Sequence, residues 1–270
     1  MQFTPVSPSQ IKEQLAQIEA YELPKAPAVV AAARSSLRAR SLTVSDNSPD
    51  AAVIANGVVS FVSGMTEQNK ADVRNSYLYA SLVATKSFPK EGDGAQWYEL
   101  FAEVMNKLGW TFIDKRYSRY SSQDTSLSMD RVGLQTIGSL VASAALPGAV
   151  GPALLAVAGA ALDGLKKPEN DKPISLFNRN ANKPGGGQFT LSACAEDDDG
   201  EVIMAFGAVH CLSKESKGSV LFANWSNAST QIYTGDARMV LNPLVYTMAR
   251  DLVLKRLGQN IESAIANYEI

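Results

Sequence analysis

The sequence is short of the residue types on which most catalytic and metal sites depend. Its 270 residues include one histidine, His210, and two cysteines, Cys194 and Cys211. A serine-type triad would therefore have a single candidate base, and that base lies between Val209 and Cys211 in an apolar segment that suits a structural histidine better. One histidine and two separated cysteines do not make a usual zinc ligand set. A disulfide is not expected either. If the flanking segments form a hairpin around Asp197–Gly200, Cys194 lies near the turn and Cys211 far along the return strand. At about 3.3 Å per residue that separation is too long to bridge. Reduced thiols fit a reducing compartment.

A basic excess is also missing, with Lys+Arg 25 against Asp+Glu 27 and a formal net charge of −2. Duplex nucleic acid is therefore not an expected partner. The start, Met1-Gln2-Phe3-Thr4-Pro5, has no basic residues followed by an apolar run. Cytoplasmic synthesis without a signal peptide is expected, with release by another route left open.

What is present suits a core-forming protein: 46% hydrophobic and 19% charged residues. Ser7-Pro8-Ser9-Gln10 reads as a helix start, with Ile11, Leu15 and Ile18 on one face. Pro24 and Pro27 close that helix and open a second through Val29, Val30, Arg34, Arg38 and Arg40. Asn47-Ser48-Pro49-Asp50 is read as starting a third, through Val53, Ile54, Val58, Val59 and Phe61. Helices are also expected over Thr66–Ser87 and Gln96–Leu108, the latter ending on Gly109. Thr111–Tyr120 is expected as a strand and Ser121–Ser128 as a polar loop.

The second half alternates in the manner of strands, at Gln188–Ala195, Val202–Leu212, Gly218–Trp225 and Ser229–Leu241. Asn242-Pro243 then opens a closing helix that breaks at Gly258. The fold class expected is α+β: a helical N-terminal half with a central apolar helical hairpin, then an antiparallel sheet and a C-terminal helix. Three spans follow, 1–110, 111–172 and 173–270, forming one compact unit.

One segment is unusual. Between Arg131 and Asp163 there is no charged residue, and Leu146-Pro147-Gly148-Ala149-Val150-Gly151-Pro152 interrupts an Ala- and Gly-rich run. Two apolar helices joined by a Pro/Gly turn are expected, each arm about 21 Å long, against a hydrocarbon core of roughly 30 Å. A constitutive spanning pair is therefore not expected. Three readings fit: a buried centre, since a helix apolar all round is one covered on all sides; a conditionally membrane-active hairpin; or a self-association seam. In the membrane reading Leu134, Ile137, Leu140, Val141, Leu146, Pro147, Val150, Leu154, Leu155, Val157 and Leu162 would carry the apolar contact. Arg116, Arg119, Arg131, Lys166 and Lys167 would flank it at an anionic surface. In composition, and over this segment alone, the hairpin is similar to those of α-helical pore-forming toxins and colicins.

Other motifs fail on chemistry. Gly133-Leu134-Gln135-Thr136-Ile137-Gly138-Ser139 has glycines at phosphate-loop spacing but no lysine. Ser87-Phe88-Pro89-Lys90 places a proline in the turn that would aim its serine and lysine together. Glu196-Asp197-Asp198-Asp199-Gly200-Glu201 has consecutive acids that diverge, as in a solvated hairpin tip rather than a calcium loop. No cofactor, metal or small-molecule ligand is inferred. The function expected is non-catalytic: a self-associating interaction protein that exposes the hairpin to membranes. The alternatives are a component of a filament, particle or injection apparatus, and a hydrolase built on two carboxylates distant in sequence.

Overall fold

The structure, a computed structural model, describes residues 8–25, 50–143, 146, 149–197, 199–214, 217 and 219–270. In chain order the elements are α1 (Pro8–Ala20), β1 (Asp50–Ile54), β2 (Gly57–Phe61), α2 (Glu67–Ser87), α3 (Gly94–Lys107), β3 (Trp110–Tyr120) and β4 (Ser126–Ser128). The hairpin follows as α4 (Met129–Ser143) and α5 (Val150–Leu165), then α6 (Asp171–Ala181). The remainder is β5 (Asn182–Lys183), β6 (Gly186–Glu196), β7 (Val202–Ser213), β8 (Asn224–Ser226), β9 (Thr230–Leu241), α7 (Pro243–Leu257), α8 (Asn260–Ala264) and β10 (Ile265–Glu269).

Helices in the N-terminal half, a sheet and a closing helix agree with the expected α+β class. The main sheet is wider than expected, in the order β10-β1-β2-β6-β7-β9-β3 with β5 beside β6. β2 runs parallel to β6, and the other neighbours are antiparallel. Strands from all three sequence spans contribute to it.

The largest departure from the sequence reading is at residues 50–61. They form the β1–β2 hairpin, not a third helix. Val53, Ile54, Val58 and Val59 are β-branched and completely buried. A strand covered on both faces reads as a continuous apolar run, which hides its period of two. Strand β8 is likewise shorter than the expected Gly218–Trp225 strand, and it pairs with β4, which lies inside the expected loop at Ser121–Ser128. The helix expected through Val29 to Arg40 lies outside the described residues.

Two helical layers cover the sheet. On one face α2, α3 and α7 pack on Phe61, Met204, Phe206 and Met239. On the other, α4, α5 and α6 pack on Val53, Val58, Leu191, Ala193 and Val209. Local chemistry fixes the helix starts. Thr66 Oγ1 accepts from Asn69 N at 3.3 Å, and Glu196 Oε2 accepts from Thr66 N at 2.8 Å. The acidic tip thus caps α2, while Asp197 accepts from Glu201 N at 2.8 Å to close its own turn. Asn242 caps α7 by accepting from Leu244 N at 3.1 Å. Cys194 and Cys211 are buried at opposite ends of the β6–β7 ladder, opposite Met204 and Gly187 respectively.

Candidate membrane-facing hairpin

The apolar segment forms two helices, 15 and 16 residues long. At 1.5 Å per residue they measure about 23 and 24 Å, less than the roughly 30 Å of a hydrocarbon core. Among the described residues no helix is long and apolar enough to cross a membrane.

Small residues allow the hairpin to lie close to the sheet. A Cβ at Gly207 on β7 would stand 3.3 Å from Ile137 Cδ1 and 3.4 Å from Thr136 Cγ2. Gly151 has the same role between the helices, where a Cβ would come within 2.8 Å of Val141 Cγ1. Val132, Ile137 and Leu140 of α4, with Leu154, Val157, Leu162 and Leu165 of α5, are buried against the sheet. At about 1.5–3 kcal/mol each, these seven side chains account for about 10–20 kcal/mol of burial. That gross figure is of the same order as the roughly 5–15 kcal/mol net stability of an ordinary domain, so water alone does not draw the hairpin off.

Of the residues expected to form an apolar contact surface, Ile137, Leu140, Leu154, Val157 and Leu162 therefore face the sheet. Leu134, Val141, Leu146 and Val150 are half-buried, and Leu155 is 37% exposed. Pro147 lies outside the described residues. Outward positions hold Gln135, Ser139, Ala142 and Ser143 on α4, and Pro152, Leu155, Ala156 and Ala160 on α5. A water-facing helix usually carries charge on that side. Here the outer surface has none between Arg131 and Asp163.

The cationic residues surround this surface unevenly. Arg131 and Lys167 are exposed at the base of the hairpin. Lys166 pairs with Asp163 at 3.0 Å and approaches Asp130 at 3.7 Å, tying the end of α5 to the start of α4. The bond to Asp163 raises the Lys166 pKa, so this ammonium stays charged. Arg116 and Arg119 lie apart from the base, exposed on edge strand β3, with Arg116 paired to Asp236 at 2.8 Å. At the other end of the hairpin Arg238 of β9 shares a gap with Leu140, Leu146 and Leu154 that has no room for a water molecule.

Among the described residues the polar ties between hairpin and body include Tyr268 donating to Ala161 O at 3.0 Å, Tyr120 to Gln135 Oε1 at 2.5 Å, Asp130 N to Leu221 O at 2.9 Å and Asn170 Nδ2 to Gly164 O at 2.9 Å.

His210 is 4% exposed and packed under the start of α3, with Tyr117 Oη at 3.4 Å from Nδ1. Among the described residues no group of three or more His, Cys, Asp or Glu is placed to hold a metal ion. Glu99 and Glu103 line one groove of about 920 Å³ beside α3. Each is paired with a lysine, Lys115 and Lys107 respectively. The hydrogen bond from Lys107 lowers the pKa of Glu103, the opposite of what a general acid needs.

The sequence reading passed over a second cavity, between the β1–β2 turn and α6. Its residues are scattered from Pro24 to Ala264, and no linear motif marks them.

No family model and no curated protein matches the sequence. Among solved structures, the chain is similar to a delta-endotoxin at 11% identity and TM-score 0.39, over 70% of this chain and 85% of that one. It is also similar to the Evf virulence factor at 12% identity and TM-score 0.33, over 75% of this chain and 82% of that one. Overlap at these scores is a likeness of outline and carries no functional argument.

Proposed function

We propose that this is a non-catalytic interaction protein that self-associates and turns the α4–α5 hairpin towards a membrane. The observation that supports it most is the absence of charge on the hairpin's outer as well as its inner surface. A merely structural layer would have no reason to keep Pro152, Leu155, Ala156 and Ala160 uncharged where they meet water. Arg131, Lys166 and Lys167 at its base are suited to anionic headgroups. The burial of about 10–20 kcal/mol sets the mechanism: release occurs only where lipid or a second copy covers what the sheet gives up. For self-association, Leu244 and Met248 lie one turn apart on α7, 72% and 41% exposed.

Vesicle co-sedimentation tests the reading, with sedimentation velocity run alongside. Binding to anionic vesicles that is lost in Ala156→Asp supports it. Equal binding by the two proteins contradicts it.

A structural component of a filament or particle is the second reading, favoured by the edges of β3 and β10, which pair with no further strand among the described residues. Lys115, Arg116, Arg119 and the register shift between Ile113 and Arg116 are features that discourage edge pairing. Large regular assemblies in the absence of lipid would favour it.

A further inference from the structure

At the end of the sheet opposite the β6–β7 turn, the β1–β2 turn, the end of α6 and α8 enclose a cavity of about 270 Å³. That is just below the size range of pockets for drug-sized ligands. Lys25, Arg179 and Lys183 line it, and among the described residues no acidic one does. Cations on a protein surface are commonly balanced by neighbouring carboxylates; among the described residues these three form no ion pair. Concentrated charge of one sign in a concave site attracts the opposite charge, and the planar fork of Arg179 suits phosphate oxygens.

The neutral lining has the complementary character. Asn56, Asn180 and Asn260 spend amide hydrogens on backbone carbonyls, at 3.2 Å to Gln188 O, 3.0 Å to Ala55 O and 3.4 Å to Pro24 O. Ser263 likewise donates to Gln259 O at 3.3 Å. Each amide keeps one further hydrogen, so the lining offers donors as well as acceptors, among them the buried Asn56 Oδ1, which has no partner among the described residues. Acceptors of this kind call for hydroxyl donors on the ligand. The backbone here is also strained. Ala55 holds φ +52°, a left-handed conformation that costs a non-glycine residue about 1 kcal/mol or more. Its N–H is held by Ala264 O at 2.8 Å and its carbonyl by Asn180. That conformation is what the two-residue β1–β2 turn requires at its first position, and it fixes the backbone at the mouth of the cavity.

We infer that this cavity binds a small phosphorylated polyol: Lys25, Arg179 and Lys183 hold the phosphate, and the asparagine carbonyls with Ser263 Oγ accept from its hydroxyls. The ligand could arrive free or as the headgroup of a lipid, since the same chemistry serves both. It is independent of the hairpin proposal, whose test uses a different variant.

Isothermal titration of the full chain with myo-inositol 1-phosphate, myo-inositol and inorganic phosphate tests this. The expected result is saturable binding of inositol phosphate, about tenfold or more tighter than that of inorganic phosphate. Both Arg179→Ala/Lys183→Ala and Asn180→Ala should weaken it by about tenfold or more. The first variant alters only rim side chains, and an unchanged melting curve would show that it folds. Vesicles bearing phosphatidylinositol phosphate separate the sources. Binding of vesicles and soluble ligand that is lost in the same variant supports a lipid headgroup; binding of the soluble ligand alone supports a free one. No saturable binding, equal affinity for inorganic phosphate, or undiminished binding in the folded double variant overturns the inference.

Discussion

The two helical layers cover one sheet by different means. The α2–α3–α7 side is aromatic: Trp97 and Phe101 stack at 5.2 Å, and Phe101 and Phe206 at 4.9 Å. It is also tied by buried polar contacts. Tyr77 and Thr190 share a hydroxyl hydrogen bond, Trp110 donates to Ser76 at 3.0 Å, and Arg250 holds both oxygens of Asp72, at 2.9 and 2.6 Å. On the other face the α4–α5 pair relies on Ala, Gly, Val and Leu, while the aromatic contact of that layer, Phe177 on Phe189, belongs to α6 and β6. Apolar contact without polar ties does not discriminate between partners, because lipid or a second copy serves as well as the sheet. Directional bonds and interlocked rings do discriminate. On the proposed reading, the layer that changes partner is therefore the hairpin.

The contrast is testable, beginning with the largest effect. Phe101→Ala should lose about 3–5 kcal/mol in urea unfolding and loosen the whole fold, because the ring stack spans α2, α3 and the sheet. Leu154→Ala should cost about 2–5 kcal/mol, near the lower end because its small neighbours let the layer settle. Its mark would be selective: amide exchange should speed up in Met129–Leu165 and stay unchanged in α2 and α3. Uniform acceleration would dissolve the distinction between the layers. Ala156→Asp, on the outer surface, should remain within about 0.5 kcal/mol of the parent while losing vesicle binding.

The smallest effect belongs to Glu103. The hydrogen bond from Lys107 lowers its pKa, so its contribution to stability is complete above the ordinary carboxylate value and is lost as the pH falls through the lowered one. The melting-temperature difference between the parent and Glu103→Gln should therefore be small at neutral pH and disappear in acid. A difference that grows in acid would mean the pairing is misread.

Legibility in the sequence followed the same physics. Helices with a clear stop or cap, such as Thr66–Ser87 before Phe88-Pro89 and the helix opened by Asn242-Pro243, were readable to within a residue or so. The hairpin was readable in kind, because an uncharged run from Val132 to Leu162 has few other solutions, although α4 begins and α5 ends three residues beyond that run. Residues 50–61 were not. Complete burial removed the alternation, and the Asn47-Ser48-Pro49 helix-start signal pointed the wrong way. β10 and α8 are too short to leave a pattern, and β10 is a strand because β1 offers it an edge. Within the hairpin, sequence identified which residues are apolar but not which face water. That division depends on where Gly207 lets α4 settle. The polyol-phosphate cavity was illegible for another reason: Lys25, Asn56, Arg179 and Asn260 meet only once the sheet has formed.

The most direct test of the central claim is dye release from anionic and neutral liposomes, titrated with protein at neutral and mildly acidic pH. The account predicts release from anionic vesicles that rises with protein concentration and is abolished in folded Ala156→Asp. Release that is identical in that variant, or absent under every condition, would contradict it and leave Val132–Leu162 as core alone.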